Sequence, residues 1–154
     1  MTDIRKRAAE GLQAGDRFVI SRSFSKAEIE AFAQLSKDFN PVHYDQTYIA
    51  LKGFEAPIAH GLLTASLITE IGGQIGWLAS GMSFRFRRPV YADELLQCEW
   101  LICSIDERGR AQAKAVVKNS QEQTVLEADI TGIVPNEAER IRLKALIACP
   151  LVND

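Results

Sequence analysis

Three successive stretches of two-residue alternation constrain this chain more than any other feature. Leu96, Cys98, Trp100 and Ile102 alternate with Gln97 and Glu99. Ala111, Ala113, Ala115 and Val117 alternate with Gln112, Lys114 and Lys118. Leu126, Ala128, Ile130 and Gly132 alternate with Glu127, Asp129 and Thr131. Neighbouring side chains of a strand point to opposite faces, so this period marks strands with one apolar and one wetted face. The connections at residues 106–109 and 119–123 are short and polar, which predicts antiparallel pairing. A sheet of that kind needs something apolar to cover its dry face.

One segment can supply the cover. Residues 60–71 carry Leu62, Leu63, Leu67, Ile68 and Ile71 on several faces of a predicted helix. A helix apolar nearly all round has to be enclosed. Residues 58–79 also approach the length of a membrane span. They nevertheless hold His60, Thr64, Ser66, Thr69, Glu70 and Gln74, and Gly72-Gly73 is expected to interrupt them. An unpaired Glu70 in hydrocarbon costs about 3 kcal/mol. The expected fold is therefore α+β, an antiparallel sheet wrapped around a long central helix, with no membrane span.

The remaining elements follow from local chemistry. Residues 16–22 read as a first strand, and residues 82–86 as another, ended by Arg88-Pro89. Ser25 and Glu28 form a capping box that opens a helix with Ile29, Phe32, Ala33 and Leu35 on its apolar stripe. That helix should stop near Asp38, because Asn40 precedes Pro41 and is pushed out of the α region. Asp45 is placed to cap a short helix that Gly53 closes. The 154 residues fit one domain, with a core at about residues 11–134 and an appended helix or tail at 136–154, where Asn136 and Glu139 partly fit a capping box.

Charge and cysteine content narrow the function. Eighteen basic and 20 acidic residues give a net charge of −2, and the densest basic run is only Arg85–Arg88. Nothing there calls for a nucleic-acid partner. The polar first residues lack the apolar stretch of a signal peptide, so the expected compartment is the cytoplasm. Three cysteines, Cys98, Cys103 and Cys149, show no CxxC spacing and read as buried structural thiols. Cys98 and Cys103 should face opposite ways.

Proton-handling groups concentrate in one stretch. The chain has two histidines, His43 and His60. Asp38 and His43 stand five apart across a proline-stiffened turn, a spacing that lets both reach one water. His60-Gly61 opens the long helix, where free amides and the positive end of the helix dipole point outward. The Gly61 amide is thus a candidate to polarise a carbonyl and hold the enolate oxygen. Close packing alone is the competing explanation of that glycine. A metal site from Asp38, His43 and Asp45 has suitable ligand types, but typical sites need three or four ligands that converge, so it is not the expected reading. Neither a metal nor a cofactor is expected.

The runs FAQLSKDFNPVHYD, FEAPIAHGLLTASLIT and SFRFRRPVYADELL resemble the MaoC-like family of (R)-specific enoyl-CoA hydratases and hydroxyacyl-thioester dehydratases. The resemblance spans roughly residues 11–134. It implies a hot-dog fold, usually a homodimer or higher homo-oligomer, with the active site near the subunit interface. Carried across by position, it implies Asp38 and His43 as catalytic residues and Gly61 as the carbonyl-binding amide. It also implies Thr69 as a hydroxyl on the long helix, where relatives can have Ser. Ala92-Asp93 stands where relatives usually show Gly-Asp, a change expected to affect a turn.

The activity so implied is reversible hydration of a trans-2-enoyl thioester to the (R)-3-hydroxyacyl thioester. Its substrate is an acyl-CoA or an acyl-carrier-protein thioester. Asn40 and His60 are further candidates for substrate binding. Arg85 and Arg87, with Arg88 adjacent, are candidates for phosphate contacts, against plain surface solvation. An acyl-CoA thioesterase and a non-catalytic acyl-thioester binder are the alternatives. The resemblance favours Asp38 as the base toward water, and the residues themselves assign the first proton to neither partner.

Overall fold

The computed structural model describes residues 2–148. Five strands form one antiparallel sheet in the order β1 (Arg17–Arg22), β3 (Leu96–Ile105), β4 (Arg110–Asn119), β5 (Thr124–Ile133), β2 (Leu78–Phe86). The register sets Trp100 opposite Ala115 and Ala115 opposite Ala128, so the alternating apolar sets share one face. Helix α4 (Gly61–Ile75) packs on that face. Leu67, Ile68, Ile71 and Ile75 are fully buried there with Trp100, Ile102 and Ile130. Each large apolar side chain so enclosed contributes about 1.5–3 kcal/mol. This is the expected hot-dog arrangement.

Two expectations about the long helix change. It runs through Gly72-Gly73 and ends at Gly76, whose φ of 71° supplies the left-handed cap. Burial of Ile71, Gln74 and Ile75 on the sheet side outweighs the roughly 1 kcal/mol that each glycine costs a helix. Nor is the helix enclosed on all sides: Leu62 and Thr69 lie on an exposed stripe, because the sheet curls around only part of the cylinder. Glu70 is paired with Arg22 at 3.4 Å at the surface. Among the described residues no helix is long and apolar enough to cross a membrane.

The flanking elements are fixed by local bonds. Helix α2 (Lys26–Ser36) opens on the expected capping box, with Ser25 Oγ accepting from the Glu28 amide at 3.2 Å and Glu28 returning the bond at 2.8 Å. The Ser25 amide, with Arg22 beside it, holds the Glu28 carboxyl below its usual range. Lys37, at φ 61°, turns the chain out of α2 just before Asp38. Helix α3 (Gln46–Leu51) is capped by Asp45 as expected. Strand β2 begins earlier than predicted, at Leu78, with a register shift between Ala79 and Gly81.

The N-terminal helix α1 (Thr2–Glu10) was not expected. It buries Ala8 and Ala9, and Arg5 reaches the last carbonyls of α4, at Gln74 (3.2 Å) and Gly73 (3.0 Å). The predicted appended helix is α5 (Glu137–Ala148), with reciprocal Asn136–Glu139 bonds of 2.8 and 2.9 Å. It lies on α1, where Arg140 donates to the Glu10 carbonyl at 3.1 Å. Of the cysteines, Cys98 is buried, and burial pushes its thiol up to about 12. Cys103 is exposed, contrary to expectation, because it points to the wetted face of β3. Cys149 lies outside the described residues.

Trp77 meets Trp100 edge to face, with ring centroids 5.1 Å apart. A Cβ at Gly132 would stand 2.1 Å from Trp77 Nε1 and 2.6 Å from the Leu78 carbonyl. Gly132→Ala is therefore expected to cost about 1–3 kcal/mol. A lower urea midpoint with an unchanged slope is the expected result, and an unchanged midpoint would contradict this packing.

Candidate active site

Three hydrogen bonds lace the Asp38–His43 loop to the segment that enters α4. The Ile58 amide donates to the Val42 carbonyl at 3.2 Å. His43 Nδ1 lies 2.7 Å from the Ile58 carbonyl, and His60 Nε2 lies 3.0 Å from the Asp38 carbonyl. A carbonyl only accepts, so both ring nitrogens must carry the proton. That leaves Nε2 of His43 as a lone-pair acceptor. It faces Asp38 Oδ2 at 3.8 Å.

A separation of 3.8 Å is too long for a direct hydrogen bond and suits a bridging water. The other carboxylate oxygen of Asp38 accepts from the Asn40 amide at 3.1 Å, which fixes the carboxylate plane. Side-chain exposure is 8% for His43 and 51% for Asp38. The imidazole is therefore held by protein while the carboxylate meets solvent.

Both groups line a cavity of about 610 Å³, with Gly61 and Leu62 on the same wall. Phe32, Phe54, Ile58, Phe86 and Val125 make most of the remainder apolar. Among the described residues no side chain caps the N-terminus of α4, since His60 makes no capping bond. The first amides of that helix are thus left for a ligand. A Cβ on Gly61 would stand 2.7 Å from the Phe86 ring, so the glycine does permit close packing. It also keeps its amide at the cavity wall.

Asp38, His43, His60 and Gly61 come together, Arg87 also lines the cavity, and Asn40, Thr69 and Arg85 do not join them. Asn40 Oδ1 accepts from the Val42 amide and caps the Pro41–His43 turn. Thr69 is exposed, donates to the Ser66 carbonyl at 2.8 Å and does not line the cavity. The buried hydroxyl residue on the cavity wall is Thr64, one helical turn after His60. That i+4 spacing was the available signal. Arg85 is held by Asp129 at 2.9 Å and Arg87 by Glu127 at 2.9 Å, both across the β2–β5 ladder. Arg88 lines the cavity, donates to the Thr124 carbonyl at 2.6 Å and has no carboxylate partner among the described residues.

One ligand atom each from Asp38, His43 and His60 lie within 4.8 Å of one another, as a metal site would require. The two rings are stacked, however, with centroids 3.7 Å apart and planes 26° apart. A metal binds an imidazole in the ring plane, and stacked rings send their lone pairs side by side. The arrangement suits proton transfer better. Asp45, the third ligand considered from sequence, accepts from the Tyr48 amide at 2.7 Å as the α3 cap.

A family model for the MaoC-like domain matches residues 9–128. The chain belongs to the MaoC-like family. Among curated MaoC-like relatives, it is 38% identical over 104 residues to the (R)-specific enoyl-CoA hydratase of Aeromonas caviae, spanning 65% of this chain and 78% of that protein. It is 33% identical over 131 residues to a mitochondrial 3-hydroxyacyl-[acyl-carrier-protein] dehydratase of Arabidopsis thaliana, spanning 81% and 79%. Among solved structures, the A. caviae (R)-hydratase superposes with a TM-score of 0.75 at 30% identity, over 82% of this chain and 99% of that one. An R-hydratase of Pseudomonas aeruginosa gives 0.76 at 28% identity, over 84% and 86%.

Burial holds His60 below its ordinary value of 6.5, opposed by its bond to the Asp38 carbonyl and aided by His43. The unfolded chain therefore takes up this proton before the native one does. That contribution to stability is complete above 6.5 and declines as pH falls from 6.5 toward the folded value. Urea midpoints measured down this range should fall, and His60→Gln should flatten that part of the curve. An identical slope in the variant would show that His60 does not contribute.

Proposed function

We propose that this MaoC-like protein hydrates trans-2-enoyl thioesters reversibly to (R)-3-hydroxyacyl thioesters, using Asp38, His43 and the Gly61 amide. One observation carries the reading: the 3.8 Å gap between His43 Nε2 and Asp38 Oδ2 opens on the same apolar cavity as the uncapped start of α4. Relatives named as (R)-specific enoyl-CoA hydratase and 3-hydroxybutyryl-CoA dehydratase support it.

Each part of the site has a task. The Gly61 amide donates to the thioester oxygen, which makes C3 electrophilic and holds the charge that develops as an enolate. A water donates its two hydrogens to His43 Nε2 and Asp38 Oδ2, which aims an oxygen lone pair at C3. The C3–O bond forms as one O–H bond breaks. With Nδ1 donating to the Ile58 carbonyl, His43 serves as an acceptor at Nε2, so the proton that C2 gains is the one the pair removed from water. Hydroxide equivalent at C3 and proton at C2 sum to one water, and the pair ends as it began. A thioesterase would need attack at the carbonyl carbon, and a pure binder would need no proton-transfer pair.

The proposed substrate is an acyl-CoA, with the acyl-carrier-protein thioester as the alternative, since one relative bears the latter in its name. Arg88 is the cavity cation without a carboxylate partner among the described residues, and it is the proposed phosphate contact in place of Arg85 and Arg87. The protein is proposed to work in the cytoplasm as a homodimer. Strand β2 ends the sheet with exposed Leu78 and Phe86 along it, an edge of the kind that pairs with another chain.

Loss of enoyl absorbance with crotonyl-CoA and longer enoyl-CoAs tests the reading, with chiral analysis of the product. Asp38→Asn and His43→Gln should each lower kcat by about 10²–10⁴-fold without changing the far-UV spectrum. Native turnover in both, or thiol release from saturated acyl-CoA, would sink the assignment. In the same assay Arg88→Glu should raise KM for CoA substrates, while Arg85→Glu should leave it near native. A monomeric mass in solution would remove the dimer.

A further inference from the structure

His60 is a buried titratable group that the proposed chemistry does not use. It is 1% exposed, so it cannot bind substrate as its sequence position first suggested. Its ring lies between two others: His43 is stacked on it at 3.7 Å, and Phe32 lies 5.0 Å away at a tilt of 57°. Nε2–H donates to the Asp38 carbonyl at 3.0 Å. Nδ1 is buried without a partner. The next residue in the chain is Gly61. One side chain therefore touches the main chain of Asp38 and the face of His43, on the residue that precedes α4.

We propose that His60 is a positioning residue, locked as the Nε2–H tautomer, that fixes Asp38 and His43 at the spacing one water can bridge. The inference rests on the hydration reading above. Two contacts and one unpaired atom define the role. The bond to the Asp38 carbonyl sets where that backbone turns, and hence where its carboxylate stands. The stack sets the tilt of the His43 ring about its bond to Ile58. The orphaned Nδ1 tolerates only a lone pair, because a proton there would be a buried donor with nothing to accept it. The two imidazoles must therefore be opposite tautomers, Nδ1–H in His43 and Nε2–H in His60.

The chain contains two histidines, so isotope-labelled histidine gives one set of ring-nitrogen resonances for each, assigned by His60→Gln. The expected spectrum shows the two rings in opposite tautomers. The same tautomer in both, or Nδ1–H in His60, would overturn the proposal. Kinetics with crotonyl-CoA then separate positioning from bulk structure. His60→Phe keeps a ring in the stack and removes the donor, so kcat should fall by up to about 10²-fold while KM stays near native. His60→Gln returns an N–H donor near the Nε2 position and should recover most of that loss. Native kcat in His60→Phe, a rise in KM alone, or no recovery in His60→Gln would each overturn the role. Should His60→Phe fail to fold, turnover by His60→Gln decides: near-native supports the role, and deep loss overturns it. Asp38→Asn keeps the two ideas apart. If it turns over normally, the hydration reading fails; if it is inactive while His60→Phe is fully active, only the positioning role fails.

Discussion

The burial of α4 in the curl of the sheet is the constraint on which the rest depends. A helix held along its length by Trp100, Ile102 and Ile130 must present its ends where the sheet stops. At its C-terminal end Arg5 takes up the carbonyls of Gly73 and Gln74. At the N-terminal end no side chain among the described residues caps the amides. Leaving such donors unpaired costs roughly 1–3 kcal/mol each where water cannot reach them. They open instead on a cavity. Core packing and carbonyl recognition are thus two consequences of one placement.

The same placement explains why the loop chemistry gathers there. The segment leading into α4 donates from Ala59 to the Val90 carbonyl at 2.7 Å and from Ile58 to that of Val42 at 3.2 Å. These bonds fix the backbone on which His43 leans through Ile58. Asp38 is held from the other side, by Lys37 in a left-handed turn at φ 61° and by the Asn40 amide. Asp38 and His43 are each tied to main chain through one polar atom, which leaves the other free for the gap. Such ties set a water-sized gap more rigidly than contacts between flexible side chains.

What was legible in the sequence follows what its signals physically encode. Period two in β3, β4 and β5 reports which face is dry, and it predicted the sheet correctly. The Ser25 and Asp45 caps are local bonds and were equally readable. Helix α1 was not: its burial rests on Ala8 and Ala9, and its anchors are Arg5 on α4 and contact with α5 near the other end of the chain. Asp38 and His43 stood out by spacing. The state of Arg85 and Arg87 did not, because Glu127 and Asp129 reach them only through the β2–β5 register. Thr69 was placed by resemblance, and its exposed stripe shows how one face of a helix can differ from the next.

Electrostatics also favour a neutral imidazole beside Gly61. The N-terminus of α4 carries partial positive charge, which is useful to a thioester oxygen gaining negative charge. A second, full positive charge on the adjoining residue would repel the same helix end. Burial of His60 prevents this by disfavouring its charged form. Its neighbour His43 keeps an acceptor free toward Asp38 because the Ile58 carbonyl holds the other nitrogen as a donor. The positive field at the carbonyl end and the acceptor pair at the water end are then separate in space. A polarised enoyl group lying between them would meet both at once, which addition of water across C2–C3 requires.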